Sequence, residues 1–299
     1  MVSDATVWAW PWWWALVTVA ALNLFVLVLI LVKTDPSDSE GYEAYRRTLK
    51  VLGTIFVSVG IYRSVFVSGY LYQLAWFDTV LNSSLLIRGF AWFAELAFAA
   101  IIALVFLQLD RDVPGARDRE TGRAERFIAR VFPVVFFLLI FSAQFFATAA
   151  TITKFITLFA IEETLWGAAF LFLLPVCLIH LNRVFSYRDQ ASRQELRLYR
   201  IHTSMMAVFT VGYVCYSLLY HLPLEYWPYA MHQFSGELVD PAIRIGWDAV
   251  SDAFYIVNET KDYATWGGIG FVIWYSGYFS ICMWMVLFMM TGPRRVRGG

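Results

Sequence analysis

Residues 155–181 read FITLFAIEETLWGAAFLFLLPVCLIHL, and the only charged residues in this run are Glu162 and Glu163. Residues 129–152, just before it, read ARVFPVVFFLLIFSAQFFATAATI, so only Thr153 and Lys154 separate the two runs. A helix needs about 20 mostly apolar residues to cross a bilayer, and both runs exceed that length. Two spans joined by so short a turn must be antiparallel. The pair therefore predicts an all-α, polytopic integral membrane protein.

The composition of the whole chain agrees with this prediction. Hydrophobic residues make up 60% of the sequence, charged residues 15%, and the mean hydropathy is +0.59. Soluble domains average about 25% charged residues. We therefore expect the lipid bilayer to be the solvent for most of this chain and its first partner. A formal net charge of zero gives no reason to expect nucleic-acid binding.

The length criterion predicts seven spans in a single transmembrane domain, 1–299. They cover residues 8–32, 49–71, 82–108, 129–152, 155–181, 201–221 and 265–291. The first run lacks a basic leader and is too long for a signal peptide, so we expect it to be retained. Residues 222–264 form a long, acidic connection, and apolar residues at helical spacing over 241–257 predict a helix lying along the membrane surface.

The basic residues predict the orientation. Alternate connections and the C-terminal tail hold 18 of the 23 lysines and arginines. Because such loops face the cytoplasm, the N-terminus is predicted outside and the C-terminus inside, in a plasma or inner membrane. Two glycosylation sequons, at Asn82 and Asn258, then lie on the outer side.

Charged residues inside predicted spans are the main functional signal, because an ionisable side chain at mid-bilayer costs about 2.5–3.5 kcal/mol on insertion scales. At 1.5 Å rise per residue, five polar residues from four spans fall at a similar depth in the outer half of the bilayer, and a sixth lies deeper. The five are Arg63, Arg88, Gln144, Glu162 and Glu163, and the deeper one is Glu95. Arg88 and Glu95 are seven residues apart and share a helix face.

These residues predict an outward-facing intramembrane pocket that binds, and processes by acid–base chemistry, a small amphiphilic or lipid-derived molecule. The candidate catalytic residues are Glu162, Glu163 and Glu95, since a buried carboxylate that lacks a counter-charge tends to hold its proton. The candidate ligand-binding residues are Arg63, Arg88, Gln144, Trp166, His221 and Glu225. The sequence leaves open whether the protein is an enzyme.

Two alternatives remain open at the sequence level. In the first, the protein is a non-catalytic subunit of a larger membrane complex, its charges pair helices, and its aromatic surfaces contact other membrane subunits or pigments. In the second, the charges conduct ions or protons, although the inner halves of the same spans carry no charge. No metal motif occurs. His180 and His202, near the cytoplasmic ends of two spans, are weak candidates for a metal site. The three cysteines have no metal or disulfide spacing. No cofactor is assigned.

Overall fold

The computed structural model describes residues 4–33, 40–70, 72–116, 121–187, 196–236, 244–262 and 264–292. Within these ranges the protein is all-α apart from three two-residue strands. Its long helices are α1 (Asp4–Val32), α2 (Glu40–Val65), α3 (Ser84–Asp112), α4 (Arg123–Thr153) and α5 (Ile156–Ser186). A sixth long helix comprises α6 (Arg197–Tyr216), a π-helical segment (Ser217–Tyr226) and α7 (Trp227–Phe234). After the short α8 (Val250–Tyr255), the last long helix comprises α9 (Gly268–Gly277), a π-helical segment (Tyr278–Cys282) and α10 (Met283–Met290).

Seven of these helices are long and apolar enough to cross a membrane, which confirms the predicted number. The α4–α5 hairpin is also as predicted. Lys154 turns the chain with a left-handed φ of 61°, and its amide donates to the Ala150 carbonyl at 2.8 Å. The side chain of Gln233 braces this turn, because it accepts from the Ile156 amide at 2.8 Å and donates to the Lys154 carbonyl at 3.0 Å.

On the predicted outer side, two helix boundaries differ most from the sequence prediction. The second helix ends at Val65 and does not continue to residue 71, because strands β1 (Ser68–Gly69) and β2 (Leu74–Ala75) form an antiparallel hairpin there. The sixth long helix continues to Phe234, so the first part of the predicted 222–264 connection is helical. Pro223 lies just beyond the predicted end of this span, and the helix accommodates the missing proline donor in a π-helical segment.

The connections on the predicted outer side pack together into a cap. Strand β2 pairs in parallel with β3 (Asn258–Glu259), which joins the hairpin after α2 to the late connection. Of the helix predicted over 241–257, the structure has a 3-10 turn at Gly246–Ala249 and then α8, while residues 241–243 lie outside the described ranges. Asn82 is 1% exposed and donates to the Val67 carbonyl at 2.8 Å, so this sequon is closed to a glycan in the folded protein.

Small residues of α2 let the last long helix approach closely. A Cβ atom added to Gly53 would lie 2.3 Å from Cγ and Sδ of Met290, and one added to Gly60 would lie 2.8 Å from Sδ of Met283. Gly53 and Gly60 are seven residues apart on α2, and Met283 and Met290 are seven residues apart on α10. The two glycines therefore share one helix face, and so do the two methionines. The interface therefore depends on the absence of side chains at these two glycines.

Candidate functional site

Arg88 of α3 is the centre of a buried ion-pair cluster. Its Nη2 lies 3.0 Å from Oε2 of Glu95 on the same helix, and its Nη1 lies 3.7 Å from Oε1 of Glu162 on α5. Nη2 also donates to the side-chain oxygen of Gln144 on α4. The Gln144 amide nitrogen in turn donates to Oε2 of Glu95 at 2.8 Å. The cluster thus joins three helices.

This Arg88 cluster is closed to its surroundings. Arg88, Glu95 and Glu162 are 2%, 7% and 7% exposed, and Gln144 is 0% exposed. Two carboxylates and an amide oxygen surround one guanidinium, which is the arrangement that pairs helices across a low-dielectric interior. In the structure these four side chains contact one another, and the outward-facing pocket predicted around them stays a prediction.

A second acid–base cluster lies beside the first, because Glu163 follows Glu162 on α5 but faces another helix. Its Oε2 lies 3.5 Å from Nε2 of His221, and Nδ1 of His221 lies 2.6 Å from Oε2 of Glu225. The hydroxyl of Tyr216 contacts the same Nδ1 at 2.8 Å, and that of Tyr213 donates to Glu163 at 3.5 Å. One imidazole thus joins two carboxylates.

The π-helical segment Ser217–Tyr226 carries His221 and Glu225, and such segments are frequent at functional sites. Gly167 of α5 permits its close approach, since an added Cβ would lie 2.5 Å from Oγ of Ser217. The imidazole is the most buried member of the cluster: the His221 side chain is 8% exposed, that of Glu163 is 18% exposed and that of Glu225 is 37% exposed. The cluster therefore reaches the protein surface chiefly at Glu225.

In the described part of the chain Arg63 forms no ion pair with either cluster, although Tyr70 lies within 6 Å of both Arg63 and Arg88. Because α2 ends at Val65, Arg63 is in the last helical turn, closer to the helix end than a span ending at residue 71 predicts. Its guanidinium carbon lies 5.6 Å from the ring centre of Tyr70 and 5.1 Å from that of Phe279. Tyr70 also lies 5.8 Å from the guanidinium carbon of Arg88. Among the described residues, no carboxylate lies within ion-pair distance of Arg63.

The remaining sequence candidates have separate environments. Trp166 packs on Phe170 and Tyr213 at centroid distances of 6.3 and 6.4 Å, so it borders the His221 cluster. His180 stacks on Phe106 at 5.5 Å, and His202 stacks on Phe288 at 4.2 Å. In the described part of the chain, no group of three or more histidine, cysteine, aspartate or glutamate side chains could hold a metal ion.

Lys154 is a buried charge that the sequence prediction treated only as a turn residue. It is 0% exposed, and its Nζ donates to the Tyr70 carbonyl at 2.6 Å. Burial lowers the pKa of its ammonium group from the usual 10.5 to about 8, although Asp252 acts in the opposite direction. No sequence pattern signals this burial, because it depends on the cap that folds over the α4–α5 turn.

Another cluster was overlooked at the far end of the bundle. Arg183 of α5 is 0% exposed, and it pairs with Asp110 of α3 at 2.7 Å and with Glu125 of α4 at 2.9 Å. The more exposed Arg130 also pairs with Asp110, at 2.9 Å. In the sequence analysis Arg130 and Arg183 count only among the basic residues that predict the orientation, and Asp110 and Glu125 have no assigned role. The acidic partners were the available clue.

An apolar groove of about 470 Å³ lies on the outer surface of α3, apart from both charged clusters. Its lining residues are Val80, Ser83, Leu85, Leu86, Gly89, Phe90, Phe93 and Phe254. The groove is open at Gly89, since an added Cβ there would have no neighbour within 4 Å. Comparison with protein-family models, curated proteins and solved structures found no match. Function must therefore be argued from the side chains themselves.

Proposed function

We propose that the protein spans a membrane with its N-terminus outside and its C-terminus in the cytoplasm. In this proposal it binds a small amphiphilic or lipid-derived molecule at the outer boundary and exchanges protons with it. The observation that carries the proposal is the chain Glu163–His221–Glu225, which connects two carboxylates through one imidazole. Histidine between carboxylates is suited to proton transfer near neutral pH.

In this proposal the two adjacent glutamates have different tasks, which their different contacts support. Glu163 is the acid–base group, because it contacts His221 and is partly exposed. Glu162 and Glu95 hold the Arg88 charge and fix α3, α4 and α5 relative to each other. A proton taken up at the exposed Glu225 can pass to Nδ1 of His221, while Nε2 exchanges one with Glu163. The two ring nitrogens thus serve opposite ends of the relay.

The second candidate function is that of a non-catalytic subunit in a larger membrane complex. The observation in its favour is the Arg88 cluster, in which buried charges pair helices and no residue is more than 7% exposed. In that function the His221 cluster is only an interfacial hydrogen-bond network. Ion or proton conduction has weaker support, because the spans between the two charged ends are lined by buried apolar residues such as Phe98, Phe136 and Phe170.

Lipids that co-purify with the protein test the proposal. The protein is extracted in a mild non-ionic detergent, and retained molecules are identified by native mass spectrometry in the wild type, in Glu163→Gln and in Glu125→Gln. Glu125 is a matched control, because its side chain is 17% exposed against 18% for Glu163 and it pairs with a cytoplasmic-end arginine. We expect wild type and Glu125→Gln to retain one amphiphile class.

Glu163→Gln should retain about tenfold less of that amphiphile while its helical circular dichroism is unchanged, because it loses a charge-assisted hydrogen bond. Equal retention by all three proteins would remove Glu163 from the binding site. Absence of any retained amphiphile from wild type would favour the subunit function.

A further inference from the structure

Three hydrogen-bond donors in one region of the protein are buried without a partner. They are Nε of Arg63, Nε of Arg88 and the hydroxyl of Tyr70. Arg63 is 5% exposed and Arg88 is 2% exposed, so these groups are shielded from bulk water. A buried donor without an acceptor destabilises the protein, more strongly when it is charged. Three such donors close together favour an acceptor from a ligand, because the described residues supply none.

The Tyr70 ring brings these donors together. It lies 5.6 Å from the guanidinium carbon of Arg63 and 5.8 Å from that of Arg88. Phe279 covers Arg63 as well, at 5.1 Å. Aromatic faces shield a guanidinium from water but accept no conventional hydrogen bond from its edge. The Nε–H groups of Arg63 and Arg88 therefore remain available to a ligand.

The two arginines differ in what balances their charge. Both Glu95 and Glu162 lie within ion-pair distance of Arg88. In the described part of the chain Arg63 has no such carboxylate, although it is buried in the last turn of α2. The planar, always-charged guanidinium matches a carboxylate or phosphate group bidentately. Arg63 is thus the side chain best suited to a ligand anion.

We propose that Arg63, with the Tyr70 hydroxyl, binds the oxyanion of the ligand, a phosphate or carboxylate group. This inference rests on the proposed function and names the chemical class of the amphiphile: it carries an anionic head. Arg63 and Tyr70 belong to α2 and to the β1–β2 hairpin, and the hairpin pairs with β3 through β2. The anion site is therefore built by the outer cap as well as by the helices.

Thermal unfolding in a neutral detergent tests the anion site. The probes are inorganic phosphate, hexanoate and dihexanoyl phosphatidate, each compared with sodium chloride at equal ionic strength. We expect a saturable rise in the Tm of the wild type with at least one oxyanion. Arg47→Gln, which removes an exposed arginine from the same helix, should show the same rise. Arg63→Gln should show none.

A milder variant covers the case in which Arg63→Gln fails to fold. Tyr70→Phe removes only the hydroxyl without a partner, and it should weaken the probe roughly threefold to tenfold. Stabilisation by inorganic phosphate as strong as by the phosphatidate would identify a free anion as the source, and stabilisation by the phosphatidate alone would identify a lipid headgroup. Either result supports the site.

The site would be overturned if no oxyanion raised the wild-type Tm, or if sodium chloride raised it equally. It would also be overturned if Tyr70→Phe bound the probe with unchanged affinity while Arg63→Gln either responded fully or did not fold. The outcome is separable from that of the proposed function, because Glu163→Gln leaves the Arg63 site intact. Phosphate should therefore stabilise Glu163→Gln as it does the wild type. If it does while all proteins retain lipid equally, the anion site stands and the acid–base role falls.

Discussion

At the scale of single residues, the adjacent Glu162 and Glu163 have different environments. Neighbouring positions on an α-helix point about 100° apart, so Glu162 faces Arg88 while Glu163 faces His221. The sequence placed both in one polar layer and gave them the same candidate role. It correctly predicted that Arg88 and Glu95 share a face, because a spacing of seven residues returns to nearly the same side of a helix. Which neighbour each side chain meets depends on helix rotation, which the sequence does not specify.

Replacing Arg88 should reveal its structural task. Arg88→Leu leaves Glu95 and Glu162 without their counter-charge, so we expect a loss of about 3–5 kcal/mol in the free energy of unfolding. Adding Glu95→Leu and Glu162→Leu should recover much of that loss, since a dry apolar cluster can replace a buried ion pair. Unfolding in a detergent titration measures both changes.

Arg130 supplies the control for this comparison. Its side chain is 66% exposed, and Asp110 keeps Arg183 as a second partner. Arg130→Leu should therefore change the free energy of unfolding by less than about 1 kcal/mol. An Arg88→Leu protein as stable as Arg130→Leu would contradict a structural role for the Arg88 cluster.

Lys154 should make the stability depend on pH. Its pKa is about 8 in the folded protein against 10.5 for a free lysine, so between these values the unfolded chain binds more protons. The free energy of unfolding should therefore rise as the pH increases from about 8 to 10.5, by on the order of 3 kcal/mol at most.

The same unfolding titration, repeated at several pH values, measures this rise. Lys154→Met should lose it, whereas Lys33→Met, which changes an exposed lysine, should keep it. Parallel pH profiles for the wild type and Lys154→Met would refute the assignment to Lys154.

At the scale of elements, runs of apolar residues predicted the helices well and their ends less well. The α4–α5 turn was predictable because only two residues separate the apolar runs. The end of α2 was not, because the apolar letters continue into the β1–β2 hairpin, which pairing with β3 stabilises. The continuation of the sixth helix was missed because a π-helical segment accommodates Pro223. Strand pairing between segments distant in sequence thus decided the end of α2, and a change of helix type decided the end of the sixth helix.

The α2–α10 interface should be sensitive to a single methyl group. Gly53→Ala would place a Cβ atom 2.3 Å from Met290 Cγ, so we expect a loss of about 1–3 kcal/mol from overpacking. Adding Met290→Ala should relieve much of that loss, because it removes the clashing atoms. A double-mutant cycle measures the coupling between the two positions.

Gly212 of α6 is the matched control, since nothing lies within 4 Å of an added Cβ. Gly212→Ala should be neutral or raise the stability by up to about 1 kcal/mol, because alanine is the better helix former. Equal losses in Gly53→Ala and Gly212→Ala would show that helix propensity, and not the Met290 contact, governs both positions.

At the scale of the whole molecule, the charged clusters lie toward opposite ends of an apolar bundle. The Arg88 and His221 clusters are near one end, and Arg183 with its acidic partners is near the other. Buried residues of the long helices between them include the apolar Ile102, Ile140 and Leu173. Under the proposed function such a bundle separates two aqueous faces, and the His221 cluster serves the face on its own side.

The orientation of the bundle decides which face that is. The basic connections predict that the α3–α4 segment is cytoplasmic and that the end of the sixth helix is outside. Ala124 and Ser235 are exposed positions on these two segments. Of the native cysteines, Cys177 and Cys282 are buried and Cys215 is exposed, so a Cys215→Ala background removes the accessible thiol. In intact cells, a membrane-impermeant maleimide should label Ser235→Cys and leave Ala124→Cys unlabelled until the membrane is permeabilised. The reverse pattern would place the His221 cluster at the cytoplasmic face, and the proposed ligand would then have to come from the inner leaflet.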